Sequence, residues 1–363
     1  MSELYKLLWK RKMGFLILSF IFLKLILCFT RTTPVLFSTP SDQATYKKIM
    51  SDLIGPINED KKTFFTEEKQ RRQRDQKIVN DIGEMYDQGK INEYELNERL
   101  GSLIKTSTVP DSVWSYLNEQ YTYVQKNPKQ HYFMDVSGWA SLLGTEKLDF
   151  ILVLLLLVVA GTGFAYEYES GMMDTLRTCR YGRWRLALIK AGCITGICVA
   201  LFLVFESMDL TDVLIRYGPL HGSYPIQSAK MYESMTYSLD FFTVYFITRL
   251  FRLLGVILLI ASTMFLAVFS RRSVTALFGG LALVAIPYFL FGGSKLIYRF
   301  PNLAGLLIGN GYFLRGFESQ NVADLGLTIQ CVFIGIIIVL LIILLICATL
   351  YVFVNRQKRR NPT

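Results

Sequence analysis

Residues 148–166, LDFILVLLLLVVAGTGFAY, contain one charged side chain, Asp149, in a run long enough to cross a lipid bilayer as a helix. A hydrocarbon core about 30 Å thick requires about 20 apolar residues in helical form. Comparable runs precede and follow this one, so the sequence predicts an all-α integral membrane protein with six transmembrane helices. The other five predicted spans are residues 13–30, 186–205, 250–270, 273–292 and 328–354, of which the last is the longest.

The composition agrees with this class, since 52% of the 363 residues are hydrophobic and the mean hydropathy is +0.34. Only two histidines are present, His131 and His221, and neither HExxH nor GxSxG occurs, which argues against zinc and Ser-His-Asp hydrolases. The formal net charge is +10. Its basic residues cluster beside the spans, which indicates topology and contact with membrane lipids rather than nucleic acid. We therefore expect no enzyme activity, no metal and no cofactor in this chain.

The distribution of Lys and Arg predicts the orientation, because short loops rich in these residues stay on the cytoplasmic side. Four basic clusters alternate with the loops 206–249 and 293–327, which have few basic residues for their length, and with the segment 31–147. That segment has many Lys and Arg, but long domains translocate regardless of charge. With six spans, this alternation places all four clusters and both termini on the cytoplasmic side of the cell membrane. The clusters are Lys6, Lys10, Arg11 and Lys12; Arg177, Arg180, Arg183 and Arg185; Arg271 and Arg272; and Arg356, Lys358, Arg359 and Arg360.

The long polar segment 31–147 lies outside the cell in this topology, inserted between the first and second spans. Asn92 and Glu95 have the spacing of a capping box, and Pro110 with Asp111 begins another helical pattern. The sequence therefore predicts a mainly helical extracellular domain. None of the six cysteines falls in this segment, so the domain folds without disulfides.

The first span leaves two alternatives open. Residues 1–12 place Leu4, Leu7 and Leu8 on one helical face, so they form either a short amphipathic helix in the headgroup plane or a frayed basic tail. The apolar run is long for a signal peptide and no small-residue cleavage site follows, so we expect a retained anchor. Lys24 interrupts it near the outer end. Snorkelling of its ammonium group to the interface is the favoured interpretation, and a role in substrate passage is the alternative.

The segment 164–190, FAYEYESGMMDTLRTCRYGRWRLALIK, joins the second and third predicted spans. It resembles the corresponding loop of ABC-2-type permeases, the transmembrane subunits of ABC exporters. In that family an aromatic residue and Glu precede Glu-x-Gly, a Leu-containing helix, a basic residue and a Lys. A proline that the family usually has before the third span is absent here. The matching residues are Phe164, Glu167, Glu169, Gly171, Leu176, Arg183 and Lys190.

The resemblance implies that residues 167–185 form a cytoplasmic coupling loop that docks on an ATPase subunit. The acidic residues come before the arginines, which is the order that the dipole of a separate short helix favours. A loop bound only to lipid headgroups is the alternative. The residues predicted to act in coupling are Glu167, Glu169, Gly171, Met172, Met173, Leu176 and Arg183, and the apolar side chains among them need a buried partner.

Two further features have alternative interpretations. Glu206 ends the third predicted span while Arg249 and Arg252 open the fourth, so these residues either form an ion pair across the outer ends or anchor separately at the interface. The apolar run 301–314, PNLAGLLIGNGYFL, is too short to span. It either dips back into the membrane from outside or lies on the surface.

The predicted function is that of a permease subunit of an ATP-driven ABC exporter. No P-loop is present, since the nearest match, Gly83–Lys90, has one residue too many and precedes Ile91. ATP and Mg²⁺ are therefore expected on a separate cytoplasmic ABC ATPase. The other expected partners are an identical or related permease, in a homodimer or heterodimer, and membrane lipids.

The alternative function is a membrane-anchored sensor or scaffold whose extracellular domain binds a ligand or partner. An intramembrane enzyme has no motif in its support. In either case the predicted organisation has three parts. These are residues 1–30 with the amphipathic N-terminal helix and first span, 31–147 with the extracellular domain, and 148–363 with spans two to six and the coupling loop.

Overall fold

The computed structural model describes residues 13–31, 36–106, 109–128, 131–144, 148–171, 182–233, 239–292, 302–309 and 324–355. The chain divides into two compact units. The membrane unit comprises Met1–Thr32, Ser137–Leu220 and Phe242–Thr363. The insertion domain comprises Thr33–Val136 and His221–Phe241.

Over the described ranges the protein is helical, with two isolated β-bridges and no strand. Twelve α-helices lie in these ranges. In chain order they are α1 Met13–Thr30, α2 Pro40–Leu53, α3 Glu59–Asp87, α4 Glu93–Thr106, α5 Asp111–Lys126, α6 Ser137–Leu143, α7 Phe150–Glu169, α8 Gly182–Tyr217, α9 Phe241–Ser270, α10 Ser273–Phe291, α11 Leu303–Ile308 and α12 Asp324–Asn355.

Six of these helices are long and apolar enough to cross a membrane: α1, α7, α8, α9, α10 and α12. They coincide with the six predicted spans, so the protein is a multi-pass membrane protein. The expectation that the last span is the longest is wrong, because α8 has 36 residues and α12 has 32. The third span was predicted to end at Phe205, where the sequence turns polar. The helix continues to Tyr217, and Glu206 and Asp209 in this extension pair with residues of neighbouring helices.

The short helix α11 is buried inside the membrane unit. The described part of the apolar run 301–314, residues 302–309, is therefore not on the protein surface, and its position relative to the membrane stays a prediction. Every residue from Leu303 to Ile308 is buried. The Asn302 side chain caps the helix by accepting from the Gly305 N–H at 2.7 Å, and Gly309 ends it in the left-handed conformation. A six-residue helix fits here because its own caps satisfy backbone groups that lipid could not.

The insertion domain has an apolar core built by α2, α3, α5 and the segment that follows α5. The predicted capping box at the start of α4 is confirmed, since the Glu95 N–H donates to the Asn92 side chain at 2.8 Å and Asn92 N–H donates back at 3.4 Å. The helix predicted at Pro110 is also confirmed as α5. The core residues are Phe37, Tyr46, Met50, Leu53, Phe65, Val109, Val113, Leu117, Val124 and Phe133.

The domain also includes residues 221–241, which the sequence placed in a loop between the third and fourth spans. The Tyr123 hydroxyl donates to the Gln227 carbonyl at 2.5 Å, and Ser228 Oγ accepts from the Tyr132 N–H at 3.0 Å. Burial raises the pKa of the Tyr123 phenol, which keeps it protonated as a donor. Because two spans separate 33–136 from 221–241, both stretches emerge on the same side of a membrane, as one compact domain requires.

Gly255 in α9 is the position where the packing of α11 is most sensitive to added volume. A Cβ there would lie 2.8 Å from Leu306 Cβ and 3.0 Å from its carbonyl carbon, whereas a Cβ at Gly196 in α8 would meet nothing within 4 Å. We predict that Gly255→Ala destabilises the protein by about 1–3 kcal/mol, because backbone must move. Gly196→Ala should leave stability unchanged or slightly raised. Denaturant titration in detergent measures both, and equal effects of the two substitutions would contradict this packing.

Candidate functional site

The helix before the predicted coupling loop ends where the resemblance begins. α7 runs to Glu169, Ser170 is its C-cap, and Gly171 follows with φ +70°. Glu167 and Glu169 therefore belong to the last turn of α7, where the helix dipole disfavours carboxylates. The expectation that Glu169 opens a separate helix is wrong, and these carboxylates need partners of another kind.

Glu167 finds its partner on α8, across the loop. Its Oε1 lies 2.6 Å from Lys190 Nζ, and the two residues are 5% and 1% exposed. The Lys190 ammonium also lies 5.0 Å from the centre of the Phe164 ring, a cation–π distance. These are three of the seven residues that carry the resemblance, and they meet in one buried contact.

Glu169 connects α7 to a third helix. Its Oε1 accepts from the Ser273 backbone N–H at 2.6 Å and from the Ser273 hydroxyl at 2.8 Å. Ser273 is the first residue of α10, so the carboxylate satisfies a free donor at that helix start and interacts favourably with its dipole. We call Phe164, Glu167, Glu169, Lys190 and Ser273 the loop-flanking cluster, since it lies on both sides of residues 170–181.

The last span joins the same region through aromatic contacts. The Phe353 ring of α12 lies 5.5 Å from the Phe164 ring and 6.2 Å from the Tyr168 ring. Arg271, between α9 and α10, places its guanidinium 5.9 Å from the Tyr168 ring. The last turns of α7 therefore contact α8, α10 and α12 through side chains.

The remaining residues predicted for coupling are only partly described. Gly171 lies at the end of α7, and Arg183 lies in the first turn of α8. Met172, Met173 and Leu176 lie outside the described residues, as does the amphipathic segment 1–12. The docking role of the loop stays a prediction.

A second group of charges lies toward the opposite ends of α7 and α8 and includes residues of α1 and α9. Lys24 of α1 is 3% exposed, and its Nζ lies 2.8 Å from Asp149 and 2.9 Å from Asp209. The snorkelling interpretation is wrong, because this ammonium is buried between two carboxylates from α8 and the start of α7. Asp149 also caps α7 by accepting from the Leu152 N–H at 3.2 Å.

The alternative that Glu206 pairs with the arginines of α9 is the one observed. Glu206 Oε2 lies 3.0 Å from Arg249 Nε, and Oε1 lies 2.6 Å from Arg252 Nη1. Glu206 and Arg252 are each 8% exposed. We call Lys24, Asp149, Glu206, Asp209, Arg249 and Arg252 the charge cluster; it holds three carboxylates and three cations.

A cavity of about 360 Å³ opens between α1 and α8 beside this cluster. Arg216 of α8 crosses its edge, pairs with Asp212 at 2.6 Å and donates to the carbonyls of Cys28 and Arg31. It thereby caps the last turn of α1, so the Arg216 guanidinium has a structural role. The rest of the lining is mixed and largely apolar: Leu25, Phe29, Ser207, Met208, Thr211 and Ile215.

The sequence interpretation missed Asp149 and Asp209 as partners of Lys24. A signal was present, because Asp149 is the one charge in the run 148–166 and Asp209 follows Glu206 by three residues, on the same helical face. Within the described part of the chain, no three His, Cys, Asp or Glu side chains form a group able to hold a metal ion. Among the described residues, the two clusters join helices through ion pairs, hydrogen bonds and ring contacts.

Comparisons with protein-family models, with curated proteins and with solved structures found no match to this chain.

The Glu167–Lys190 pair yields a test by paired substitution. Glu167→Leu leaves a buried ammonium without its carboxylate, which should cost about 3–5 kcal/mol of unfolding free energy. Glu167→Leu combined with Lys190→Met removes both charges and should recover most of that loss. Glu169→Gln keeps the acceptor oxygen at an exposed site and should cost under about 1 kcal/mol. Denaturant titration in detergent measures all three. If the double variant is no more stable than Glu167→Leu, the pair does not join α7 to α8.

Proposed function

We propose that this chain is the permease subunit of an ATP-driven ABC exporter, resident in the cell membrane with both termini in the cytoplasm. The partner ATPase binds ATP and Mg²⁺, and a second permease, identical or related, completes the transport unit. Residues 170–181 form the docking element for the ATPase, and re-orientation of the spans moves the cargo across the membrane.

One observation carries this proposal: residues 170–181 are tied on both sides to the spans that would have to move. The buried Glu167–Lys190 pair joins the helix before the loop to the helix after it at 2.6 Å. Glu169 extends the connection to α10 through Ser273. A force applied to the loop would therefore be transmitted to α7, α8 and α10 through short polar contacts. A loop that only met lipid headgroups would gain nothing from such anchoring.

The charge cluster supports the same proposal from the other ends of the helices. Lys24, Glu206 and their partners connect α1, α8 and α9 with the start of α7. Ionisable residues at membrane depth are costly and mark pathways or moving parts by default. In an alternating-access cycle these ion pairs would hold the spans together at the end that contains the charge cluster. They would do so until movement of residues 170–181 shifts the opposite ends of the same spans.

The docking role is tested with Met172→Asp. Burying a methionine side chain is worth about 1.5–3 kcal/mol, and an aspartate there would add a desolvated charge. We expect ATPase recovery in a pull-down to fall tenfold or more, since each 1.4 kcal/mol or so is a factor of ten. ATP turnover should fall with it.

Met231→Asp is the matched control, because Met231 is 53% exposed in the insertion domain and receives the same change. It should leave assembly and turnover unchanged at equal membrane levels. Full assembly and turnover with Met172→Asp would remove residues 170–181 as the docking element.

The proposed orientation predicts a labelling pattern. Single cysteines replace Ser2, Ser102 and Met231 in a background without the six native cysteines. An impermeant thiol reagent added to intact cells should label positions 102 and 231 and spare position 2. Labelling of position 2 alone would reverse the orientation. Labelling of only one of positions 102 and 231 would contradict the assignment of both stretches to one domain.

The second candidate function, a sensor or scaffold, is favoured by the insertion domain having its own apolar core. In that case the chain would be present in the membrane but no ATPase would be recovered with it in a pull-down. Met172→Asp and Met231→Asp would then both behave as wild type. The pull-down therefore separates the two functions.

A further inference from the structure

The far half of α3 carries charges for which the described part of the chain offers no ion-pair partner. Arg72 marks the edge of the domain core, since it bonds Asp111 and donates to the Val109 carbonyl at 2.6 Å. Beyond it, residues 76–81 are exposed on every side. With 29 residues, α3 is about 44 Å long. The helix contacts α4, and Ile82 in its far half is buried.

Four of these side chains form one stripe. Arg74, Lys77, Asp81 and Glu84 are all exposed, and their spacing of three, four and three residues confines them to an arc of roughly 80° on the helix. The order along the stripe is two cations and then two carboxylates. Ile78 and Met85, which are 42% and 40% exposed, border the stripe on one side.

We propose that this stripe binds the same stripe of a second copy of the chain, with the two α3 helices antiparallel. In that arrangement Arg74 faces Glu84 of the other copy and Lys77 faces Asp81. Residue 79 is the midpoint both of residues 74 and 84 and of residues 77 and 81. A single antiparallel alignment of the two helices, centred on residue 79, therefore brings both pairs together. The two-fold symmetry then repeats each pair, and four ion pairs form from one stripe.

The order of charges selects a second copy over other partners. A uniformly acidic or basic surface would attract one half of the stripe and be repelled by the other half. Spacings of three and four residues are those of helices that pack along a seam, and Ile78 with Met85 would cover one side of that seam. Exposed ion pairs are weak singly, but two copies in one membrane meet at high effective concentration.

This contact rests on the proposed function, which already includes a second permease, and it specifies an identical copy and the surface through which the two copies meet. The contact itself requires neither an ATPase nor cargo. With both copies in one membrane, the two-fold axis is parallel to the membrane normal. Antiparallel helices related by that axis are perpendicular to it, so the paired α3 helices would lie parallel to the membrane plane. The side chains of Ile78 from the two copies would then lie on the same side of the contact, near the axis.

The test uses the full chain in membranes with Ile78→Cys as the sole cysteine and a short thiol crosslinker. An acidic-stripe variant carries Arg74→Glu and Lys77→Glu, and a basic-stripe variant carries Asp81→Lys and Glu84→Lys. Like charges then face each other, so we expect the yield of crosslinked homodimer to fall at least fivefold in each variant. Coexpression of the two variants with different tags should restore crosslinking, now between unlike copies.

Lys69→Glu is the control, since this exposed residue lies on α3 away from the stripe and receives the same reversal of charge. It should leave the yield unchanged. The restored yield on coexpression also shows that both variants are folded. A yield unaffected by either stripe variant, a failure to recover on coexpression, or crosslinking only to a different protein would each overturn the proposal. ATPase recovery, measured in parallel, reports on the permease proposal separately.

Discussion

A charged side chain in a hydrocarbon core is stable only beside an opposite charge, and this constraint decides which spans of the protein meet. Each buried pair described above joins different helices, so the charges specify neighbours that apolar surfaces alone would not. Leucine and lipid tails are equally apolar, which leaves little hydrophobic preference for one helix contact over another. The pairs are Lys24 with Asp149 and Asp209, Glu206 with Arg249 and Arg252, and Glu167 with Lys190.

Helix α8 takes part in all of these pairings except Lys24 with Asp149. It carries Lys190 near one end and Glu206 and Asp209 near the other, about 24 Å or more apart along a helix that rises 1.5 Å or so per residue. A helix of this kind moves as a unit, so a shift of Lys190 reaches the charge cluster without any intervening loop. In the proposed permease, α8 is therefore the element that relates the loop-flanking cluster to the opposite ends of the spans. The chemistry of the cluster is compatible with this role, since ion pairs between helices can exchange partners while apolar contacts slide.

The spans and several helix starts could be predicted from the sequence because they depend on local patterns. Apolar length predicted all six spans, and the spacing of Asn92 and Glu95 predicted a cap that the structure contains. The pairing of Glu206 was predicted as one of two alternatives, since its arginine partners open the next span. The partners of Lys24 were missed because Asp149 and Asp209 lie 125 and 185 residues away along the chain. The sequence marks Asp149 as the one charge in its run and places Asp209 on the helical face of Glu206, but no local pattern pairs either carboxylate with Lys24.

In the insertion domain, too, features that depend on local sequence were predicted and contacts between distant residues were not. Two of its helices were predicted from their starts at Asn92 and Pro110, whereas residues 221–241 fell in the loop between the third and fourth predicted spans. They belong to the domain through contacts such as that of the Tyr123 hydroxyl with the Gln227 backbone carbonyl. Because every residue type has a backbone carbonyl, the sequence does not indicate such a contact. The burial of α11 within the protein was not predicted, since the two alternatives for this run were entry into the membrane from outside and a surface position. It depends on Gly255, whose missing side chain makes room for the α11 backbone.

A double-mutant cycle between Lys24 and Asp209 tests most directly whether buried charges determine how the spans meet. The cycle compares the unfolding free energies of Lys24→Met, Asp209→Leu, the double variant and the wild type in detergent. The account predicts that the two single losses fail to add by more than about 1 kcal/mol, because the Lys24–Asp209 contact at 2.9 Å is lost in each single variant but is lost only once in the double variant. Additivity within about 0.5 kcal/mol, the behaviour of independent sites, would contradict it.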